Sequence, residues 1–277
     1  MAIITFWNDG TQETGQTISL ISAATQLAVE TKYKILVMNT KYNDISMEDC
    51  FWNTIGNKEK LNFKEEGKTD VGTGIQGLAK AVMSNRTAPE IVTNYTKVIF
   101  KNKLELLTDR FVEEEEDYLA TRAMYKDMIR IANKYYDLIF IDLEGPLSDK
   151  DVLSVLGISN VIVPTVTQSL RSITNYMELR KEQTIFNEQN SMTLIGRYDK
   201  NSKYNEKNVA RHVGVGTAYG VPYSTLLFES CHEGQVADYF IKFRKEKATE
   251  SNGLVVHSVR NFTKTLIELL QLLQMNV

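Results

Sequence analysis

Residues 2–17 read AIITFWNDGTQETGQT, and the prediction of the fold starts from this stretch. The apolar run at 3–7 is typical of a buried β-strand, and the turn signal Asn-Asp-Gly at 8–10 ends it. Apolar residues then recur at helical spacing over 17–30, which predicts a helix. A second apolar run, KILVM at 34–38, predicts the next strand, so the segment forms a βαβ unit with parallel strands.

Similar runs continue along the chain. The segment YDLIFID at 136–142 is apolar without alternation, as expected for a central parallel strand covered on both faces. Further strands are predicted at 98–100, 104–107, 161–164, 192–196 and 224–228, and further helices at 74–83, 118–131, 170–186, 206–213 and 259–275. We therefore predict one α/β domain over residues 1–277, doubly wound, with a mostly parallel sheet and helices on both faces.

The composition excludes several classes of protein. The chain has 277 residues, of which 43% are hydrophobic and 24% charged, and this balance excludes a disordered or collagen-like protein. Lys and Arg total 32 against 35 for Asp and Glu, a net charge of −3. Such a balance lacks the basic footprint of a general nucleic-acid binder, so nucleic acid is not the expected partner.

The cysteines and the N-terminus predict a cytoplasmic protein. Cys50 and Cys231 are too few for a disulfide scaffold, and we interpret them as two reduced thiols. The sequence contains no run of about 18 apolar residues, so we predict no membrane span. The N-terminus has no basic region before its apolar run, so it does not match a signal peptide.

The loop at 10–17 carries the chemical signal. It follows a predicted strand and opens a predicted helix, where phosphate-binding loops have the pattern G-x-x-x-x-G-K-[ST]. Gly10, Gly15 and Thr17 match that pattern, but Gln16 stands at the lysine position and Glu13 adds a carboxylate. The candidate cofactor-binding residues are Gly10, Thr11, Gln12, Glu13, Thr14, Gly15, Gln16 and Thr17. The alternative interpretation is a strand-to-helix turn that contains glycine and binds nothing.

The order of the segments resembles the MinD/ParA family of deviant Walker-A ATPases, which includes the TadZ/CpaE-type pilus-localisation proteins. The matching segments are the phosphate loop and first helix at 10–28, the second strand at 35–41, the Walker-B strand at 136–146, the next strand and helix at 160–173, the base-reading strand at 194–199, and the late strand with its loop at 220–238. The resemblance implies a P-loop NTPase fold with ATP and Mg²⁺ as cofactors. It also implies Thr17 and Asp142 as the metal-binding residues. The alternatives are a capping role for Thr17 and a strand-closing role for Asp142.

The chain departs from the family pattern where hydrolysis would occur. Thr11 occupies the position of the family's signature lysine, and Gln16 occupies the position of the ordinary Walker lysine. The two carboxylates of the family's Asp-x-Asp ending are replaced by Asn39 and Lys41, and an adenine-reading asparagine is replaced by Gly196. Phosphoryl transfer depends on positioning and charge neutralisation, so we expect little hydrolysis and assign no catalytic residue. Lys41 remains a hypothetical substitute for the lost positive charge.

These departures predict a pseudo-ATPase that acts as a scaffold or positioning factor. The family resemblance alone implies that the machine it serves is a pilus, secretion or conjugation apparatus. The alternative is a divergent ATPase that binds ATP and cycles as a dimer in partition or localisation. The expected partners are proteins of a larger assembly, and a homodimer is left open. The expected location is the cytoplasm, with attachment at the inner membrane through partners as an alternative.

The C-terminal helix carries an apolar stripe with two interpretations. Its members are Phe262, Leu266, Leu269, Leu270, Leu273 and Val277. A helix that binds a membrane surface usually has a strongly basic polar face, whereas this one offers only Arg260 and Lys264, with Glu268 opposing them. We therefore expect the stripe to pack onto the domain or onto a partner, with a membrane surface as the alternative.

Overall fold

The computed structural model of the protein describes residues 1–41, 44, 46–52, 74–108, 115–188 and 190–275. Within them the strands are β1 (Ala2–Asn8), β2 (Ile35–Asn39), β3 (Lys97–Phe100), β4 (Leu104–Leu107), β5 (Leu138–Glu144), β6 (Val161–Val166), β7 (Asn190–Ser191), β8 (Thr193–Tyr198) and β9 (Ala218–Pro222). They form one sheet in the order β3-β4-β2-β5-β1-β6-β8-β9, and β7 pairs with β6. Only the pair of β3 and β4 is antiparallel among these strands.

Helices connect the strands. They are α1 (Gln16–Glu30), α2 (Ser46–Asp49), α3 (Gly74–Met83), α4 (Glu115–Ala123), α5 (Tyr125–Ala132), α6 (Lys150–Leu156), α7 (Leu170–Glu182), α8 (Ile185–Glu188), α9 (Glu206–Val213), α10 (Thr225–His232), α11 (Val236–Phe243) and α12 (Ser251–Met275), and a 3₁₀ helix spans Pro89–Asn94. Parallel strands joined by helices confirm the predicted α/β fold class.

The central strands of the sheet are buried on both faces. Phe6 and Phe140, on neighbouring strands, belong to the hydrophobic core on one face, and their rings lie 6.0 Å apart. Ile139 and Ile141 belong to the second core, on the other face. The apolar run of β5 therefore lacks alternation because both of its faces are covered.

The register of the central strands brings polar residues to one edge of the sheet. Asn8 at the end of β1 pairs with Glu144 on β5, and Asn39 at the end of β2 pairs with Asp142. Because these strands are parallel, their carboxyl ends meet at the same edge, which is where ligands bind in such sheets. The loop from β1 to α1 begins at this edge.

The predicted strand at 224–228 is wrong. The last strand is β9, and the hydroxyl of Ser224 instead accepts a hydrogen bond from the N–H of Leu227 at 3.2 Å, as a helix N-cap does. The apolar residues that follow Ser224 therefore lie in α10. Their short run fits either a strand or a helix, and the cap decides between them.

Several predicted helix limits also differ from the structure. The helix predicted at 170–186 ends at Glu182, and the pattern at 118–131 is divided at Met124 between two helices. The last helix begins at Ser251, eight residues before the predicted 259. Thr17 does not cap α1, because the residue before that helix is Gly15, in a left-handed conformation without a side-chain cap.

The C-terminal helix packs on the domain. Phe262, Leu266 and Leu270 are buried in the core that α12 shares with α1 and β9. Leu269 and Leu273 pack against the edge of the same core, and Val277 lies outside the described residues. The described part of the stripe is thus covered by the protein itself. Within the described ranges, no helix is long and apolar enough to pass through a bilayer.

Candidate functional site

The loop between β1 and α1 is shaped by its own side chains. The carbonyl oxygen of the Asn8 side chain accepts from the N–H of Gly10 at 2.8 Å. The carboxylate of Asp9 accepts from the N–H of Thr11 at 3.0 Å and from its hydroxyl at 2.7 Å. Gly10 has a φ of 79° and Gly15 a φ of 75°, a conformation that glycine adopts without strain. The two glycines of the predicted pattern are therefore required by the loop.

The backbone of the loop forms a cradle of free N–H groups. The N–H groups of residues 12–17 donate to no acceptor among the described residues. The buried hydroxyl of Thr14 likewise has no partner there. These groups border a cavity of about 620 Å³, which is also lined by Lys41, Glu144 and Arg197. Free N–H groups at a helix N-terminus suit phosphate, so the loop fits the phosphate groups of a nucleotide.

Gln16, at the expected lysine position, is turned into the protein. Its amide nitrogen donates to Oδ1 of Asp142 at 2.5 Å and to the carbonyl oxygen of Leu143 at 3.0 Å. Its amide oxygen accepts from the side chain of Asn8 at 3.0 Å, and only 2% of the residue is exposed. Both N–H bonds of the amide are thus used inside the protein, so this side chain offers the cavity neither charge nor a free donor.

Lys41 brings a positive charge to the site. Its ammonium nitrogen lies 3.0 Å from Oγ1 of Thr17, 3.5 Å from Oδ2 of Asp142 and 3.1 Å from Oε2 of Glu144. The hydroxyl of Thr17 in turn donates to Oδ2 of Asp142 at 2.6 Å. Lys41 therefore lies next to the loop, as a substitute for the lost positive charge would have to. We refer to these four residues as the lysine cluster.

The protonation of the lysine cluster follows from burial and charge. Burial raises the pKa of Asp142 above its ordinary value, and Lys41, Thr17 and Gln16 offset part of that rise. Burial lowers the pKa of Lys41, but Asp142 and Glu144 together raise it by more, so it lies above its ordinary value. Lys41 is therefore a cation at neutral pH.

The residues of this site do not fit a magnesium ion. Thr17 and Asp142 do lie together, as the family resemblance implies, but their oxygen atoms already face the ammonium of Lys41. Mg²⁺ requires near-octahedral oxygen ligands at about 2.0–2.1 Å, and an ammonium in contact with the same oxygens repels it. No group of three or more His, Cys, Asp or Glu side chains in the described part of the chain could hold a metal either.

Glu13 is paired with an arginine on β8. Its carboxylate pairs with the guanidinium of Arg197 at 3.0 Å, and its side chain is 86% exposed. An exposed pair of this kind contributes little to stability, but it sets the direction of the side chain. The carboxylate that the sequence places within the loop therefore lies beside Arg197, whose charge offsets its own.

Gly196 lets the loop pack against β8. A Cβ atom on Gly196 would lie 2.0 Å from the carbonyl oxygen of Thr14, so no larger residue fits. The next residue, Arg197, has a φ of 49°, and the pairing of β8 with β9 shifts register between Ile195 and Tyr198. By its place in the family pattern, Gly196 replaces an asparagine. Glycine inside a predicted strand is also a signal of close backbone approach, and that signal could have predicted this contact.

The far wall of the cavity unites residues that are distant in sequence. Phe228 and His232 both line this cavity, and their ring centroids lie 4.3 Å apart with the ring planes tilted by 45°. Cys50 and Cys231 are both free and buried, and both border the same cavity. A hydrogen bond with Cys231, together with burial, raises the pKa of the Cys50 thiol well above its ordinary value. Nothing in the spacing of the two cysteines predicted this proximity.

The chain is similar in structure to known proteins. No protein-family model and no curated protein matches the chain. Solved structures do: a ParA family ATPase from Chlorobium tepidum TLS is 17% identical, with a TM-score of 0.70 over 95% of this chain and 98% of that one. The septum site-determining protein MinD from Pyrococcus horikoshii OT3, complexed with Mg-ADP, is 14% identical, with a TM-score of 0.62 over 96% and 98% of the two chains.

A putative plasmid partition protein from Borrelia burgdorferi B31, bound to AMPPNP, is 15% identical, with a TM-score of 0.61 over 96% of this chain and all of that one. The chain has the MinD/ParA fold. Within this fold, the cradle at 12–17 and the ends of β2 and β5 enclose the candidate site. The MinD/ParA fold is thus confirmed, and the narrower likeness to TadZ/CpaE-type proteins stays a prediction.

Proposed function

We propose that the protein is a non-hydrolysing, MinD/ParA-like scaffold or positioning factor of a pilus, secretion or conjugation machine. One observation carries the proposal: the side chain of Gln16 is hydrogen-bonded into the protein at the position where a hydrolysing relative has its lysine. Without that cation, the loop provides hydrogen bonds to phosphate but no charge to balance the transition state.

The other cations near the loop support the same conclusion. The described residues that line the cavity include Lys41 and Arg197, and both are paired with carboxylates. Asn39 stands where the family has the first carboxylate of Asp-x-Asp, and its side chain bonds to the backbone of Asp44 and Lys41. Lys41 itself stands at the second carboxylate, which in the family positions the attacking water. A cation there reverses the charge that this role requires.

ATP is the ligand that we propose for the cradle, bound without turnover. The free N–H groups of residues 12–17 and the volume of the cavity support binding of a nucleotide. Two solved proteins of the same fold were complexed with Mg-ADP or AMPPNP. Homodimerisation and contact with proteins of a larger assembly, in the cytoplasm or at the inner membrane through partners, belong to the same proposal.

Two measurements on the full chain test the proposal. Calorimetric titration with ATP measures binding, and a phosphate-release assay measures turnover, each with and without Mg²⁺. We expect binding without phosphate release above the background of a heat-denatured sample. Turnover that Asp142→Ala abolishes would contradict the proposal and establish the alternative of a divergent ATPase. Absence of binding at millimolar ATP would refute ATP as the ligand and leave a scaffold without a nucleotide.

A further inference from the structure

The ammonium of Lys41 lies among the oxygen atoms that hold the metal in other P-loop proteins. In those proteins Mg²⁺ is held by the Ser/Thr of the loop and by the Asp of the Walker-B strand. The corresponding atoms here are Oγ1 of Thr17 and Oδ2 of Asp142, at 3.0 Å and 3.5 Å from Nζ of Lys41. Glu144 provides a third oxygen at 3.1 Å.

We propose that the ammonium of Lys41 replaces the magnesium ion of the site and permanently joins the phosphate loop to the ends of β2 and β5. The inference rests on the proposed function, because a site without metal exchange suits a scaffold that does not hydrolyse ATP. The contacts between the phosphate loop and the ends of β2 and β5 would then be independent of both metal and nucleotide.

The lysine is held in place by its own strand end. The N–H of Lys41 donates to the side chain of Asn39 at 3.0 Å. The hydroxyl of the preceding residue, Thr40, donates to the carbonyl oxygen of Asp142 at 2.7 Å. The carbonyl oxygen of Thr40 accepts from the hydroxyl of Tyr118 at 3.0 Å. Only 19% of the Lys41 side chain is exposed. The ammonium therefore belongs to an ordered set of contacts.

The charges of the lysine cluster agree with a built-in cation. Asp142 is fully buried, and an unpaired carboxylate at such a position is strongly unfavourable. A metal ion would neutralise it in an ordinary P-loop protein, whereas here Lys41 does so from within the chain. In nucleotide switches, segments held by the γ-phosphate and Mg²⁺ are released when these ligands leave. A cation attached to the chain cannot leave, so the contacts of residues 39–41 persist.

Binding of Mn²⁺ alone tests the inference. Electron paramagnetic resonance counts bound Mn²⁺ on the wild-type protein and on Lys41→Met. We expect no specific site on the wild type and one site on Lys41→Met, with affinity at least roughly tenfold tighter than any wild-type binding. Asp142→Asn added to Lys41→Met should remove that site. Saturable Mn²⁺ binding by the wild type that Asp142→Asn abolishes would overturn the inference, as would a folded Lys41→Met without a site.

Lys97→Met is the matched control. Lys97 also pairs with a buried carboxylate, that of Glu48 at 2.9 Å, but it lies outside the phosphate loop. Its replacement removes a comparable ion pair, and we expect no Mn²⁺ site to appear. A Mn²⁺ site of equal affinity on Lys97→Met would show that any buried carboxylate without its lysine partner suffices, and this would also overturn the inference.

Hydrogen exchange of the wild type provides a measurement that does not depend on how the variants fold. We expect the protection of residues 39–41 and 142–145 to stay the same when Mg²⁺, ATP or both are added. Protection that rises only with Mg²⁺ would contradict the inference while leaving the non-hydrolysing proposal intact. Conversely, phosphate release in EDTA would refute the proposed function and leave the role of Lys41 standing.

Discussion

The side-chain nitrogen of Gln16 lies 2.5 Å from Oδ1 of Asp142. The residue at the lysine position of the loop is therefore hydrogen-bonded to β5, at a residue 126 positions later in the sequence. Thr17 and Lys41 contact the other oxygen of this carboxylate, Oδ2. Asp142 thus connects the loop, the end of β2 and the end of β5. We therefore expect the effects of substitutions at Gln16 and at Lys41 on stability to depend on each other through this carboxylate.

Restoring the loop lysine should weaken the protein and not revive hydrolysis. In Gln16→Lys the side chain of Asn8 loses its acceptor, and a second ammonium approaches Lys41. We expect the free energy of unfolding to fall by about 1–3 kcal/mol, measured by urea denaturation. Phosphate release should stay at background, because Lys41 still occupies the position of the water-positioning carboxylate. Turnover by this single variant would show that the loop alone limits catalysis.

Moving the charge from one position to the other should recover part of that loss. Gln16→Lys combined with Lys41→Gln keeps one cation beside Asp142. We expect the double variant to lose less of the free energy of unfolding than the two single variants lose together. The difference, which is the coupling energy, should be about 0.5–3 kcal/mol. Additive effects would mean that the two side chains do not share the carboxylate.

A methyl group at Gly196 should disturb the phosphate loop. Its Cβ would meet the carbonyl oxygen of Thr14 at 2.0 Å, and this backbone atom cannot turn aside as a flexible side chain can. We expect Gly196→Ala to lower the free energy of unfolding by about 1–3 kcal/mol or more and to weaken ATP binding. Gly216→Ala is the control, because a Cβ there meets nothing within 4 Å. Equal effects of the two changes would argue against the close contact.

The ion pair of Arg122 and Asp149 should stabilise the protein against acid. Burial raises the pKa of Asp149, but Arg122, at 2.6 Å, and the N–H groups of Asp151 and Val152 lower it by more. A carboxyl group with a lowered pKa stabilises the fold above its unfolded pKa of about 3.9, and this contribution is lost as the pH falls through the folded value.

Arg122→Met should therefore move acid unfolding to higher pH. Without the guanidinium the pKa of Asp149 rises toward its ordinary value, so its contribution is lost earlier during acidification. Circular dichroism during an acid titration measures the midpoint. The control is Arg211→Met, which removes an exposed arginine without an ion pair among the described residues. An unchanged midpoint for Arg122→Met would contradict the prediction.

The apolar stripe of α12 should act through packing. Phe262 is 1% exposed. The centroid of its ring lies 5.9 Å from that of Phe6 and 5.6 Å from that of Tyr219. We expect Phe262→Ala to cost about 3–5 kcal/mol, and Leu272→Ala, at a residue 55% exposed, to change stability by less than about 0.5 kcal/mol. Flotation with anionic vesicles tests the membrane alternative. Vesicle binding that Leu272→Ala abolishes would support it.

Much of the fold was predictable from local patterns. The apolar run at 136–142 predicted β5, and helical spacing predicted α1 and α9. The prediction was wrong at 224–228, where a single hydrogen bond from Leu227 to Ser224 starts a helix. A run of five residues has no period long enough to separate strand from helix, so the cap and the packing determine the outcome.

The candidate site was predictable in its backbone but not in its side chains. Gly10 and Gly15 match the spacing of a phosphate loop, and both have the positive φ that shapes the cradle. The direction of Gln16 and of Glu13 was not predictable, because each is determined by a partner on a distant strand. The adjacency of Cys50 and Cys231 escaped prediction for the same reason.

The sequence by itself determined the α/β class, the βαβ start and the loop that has the spacing of a phosphate site but lacks its lysine, because these depend on local periodicity and on residue type. The tertiary structure decided what the loop became. It buried Gln16 against Asp142 and placed the ammonium of Lys41 among the oxygens that would hold a metal. Charges act through space, and only the folded sheet brings the ends of β1, β2 and β5 within a few ångströms of one another.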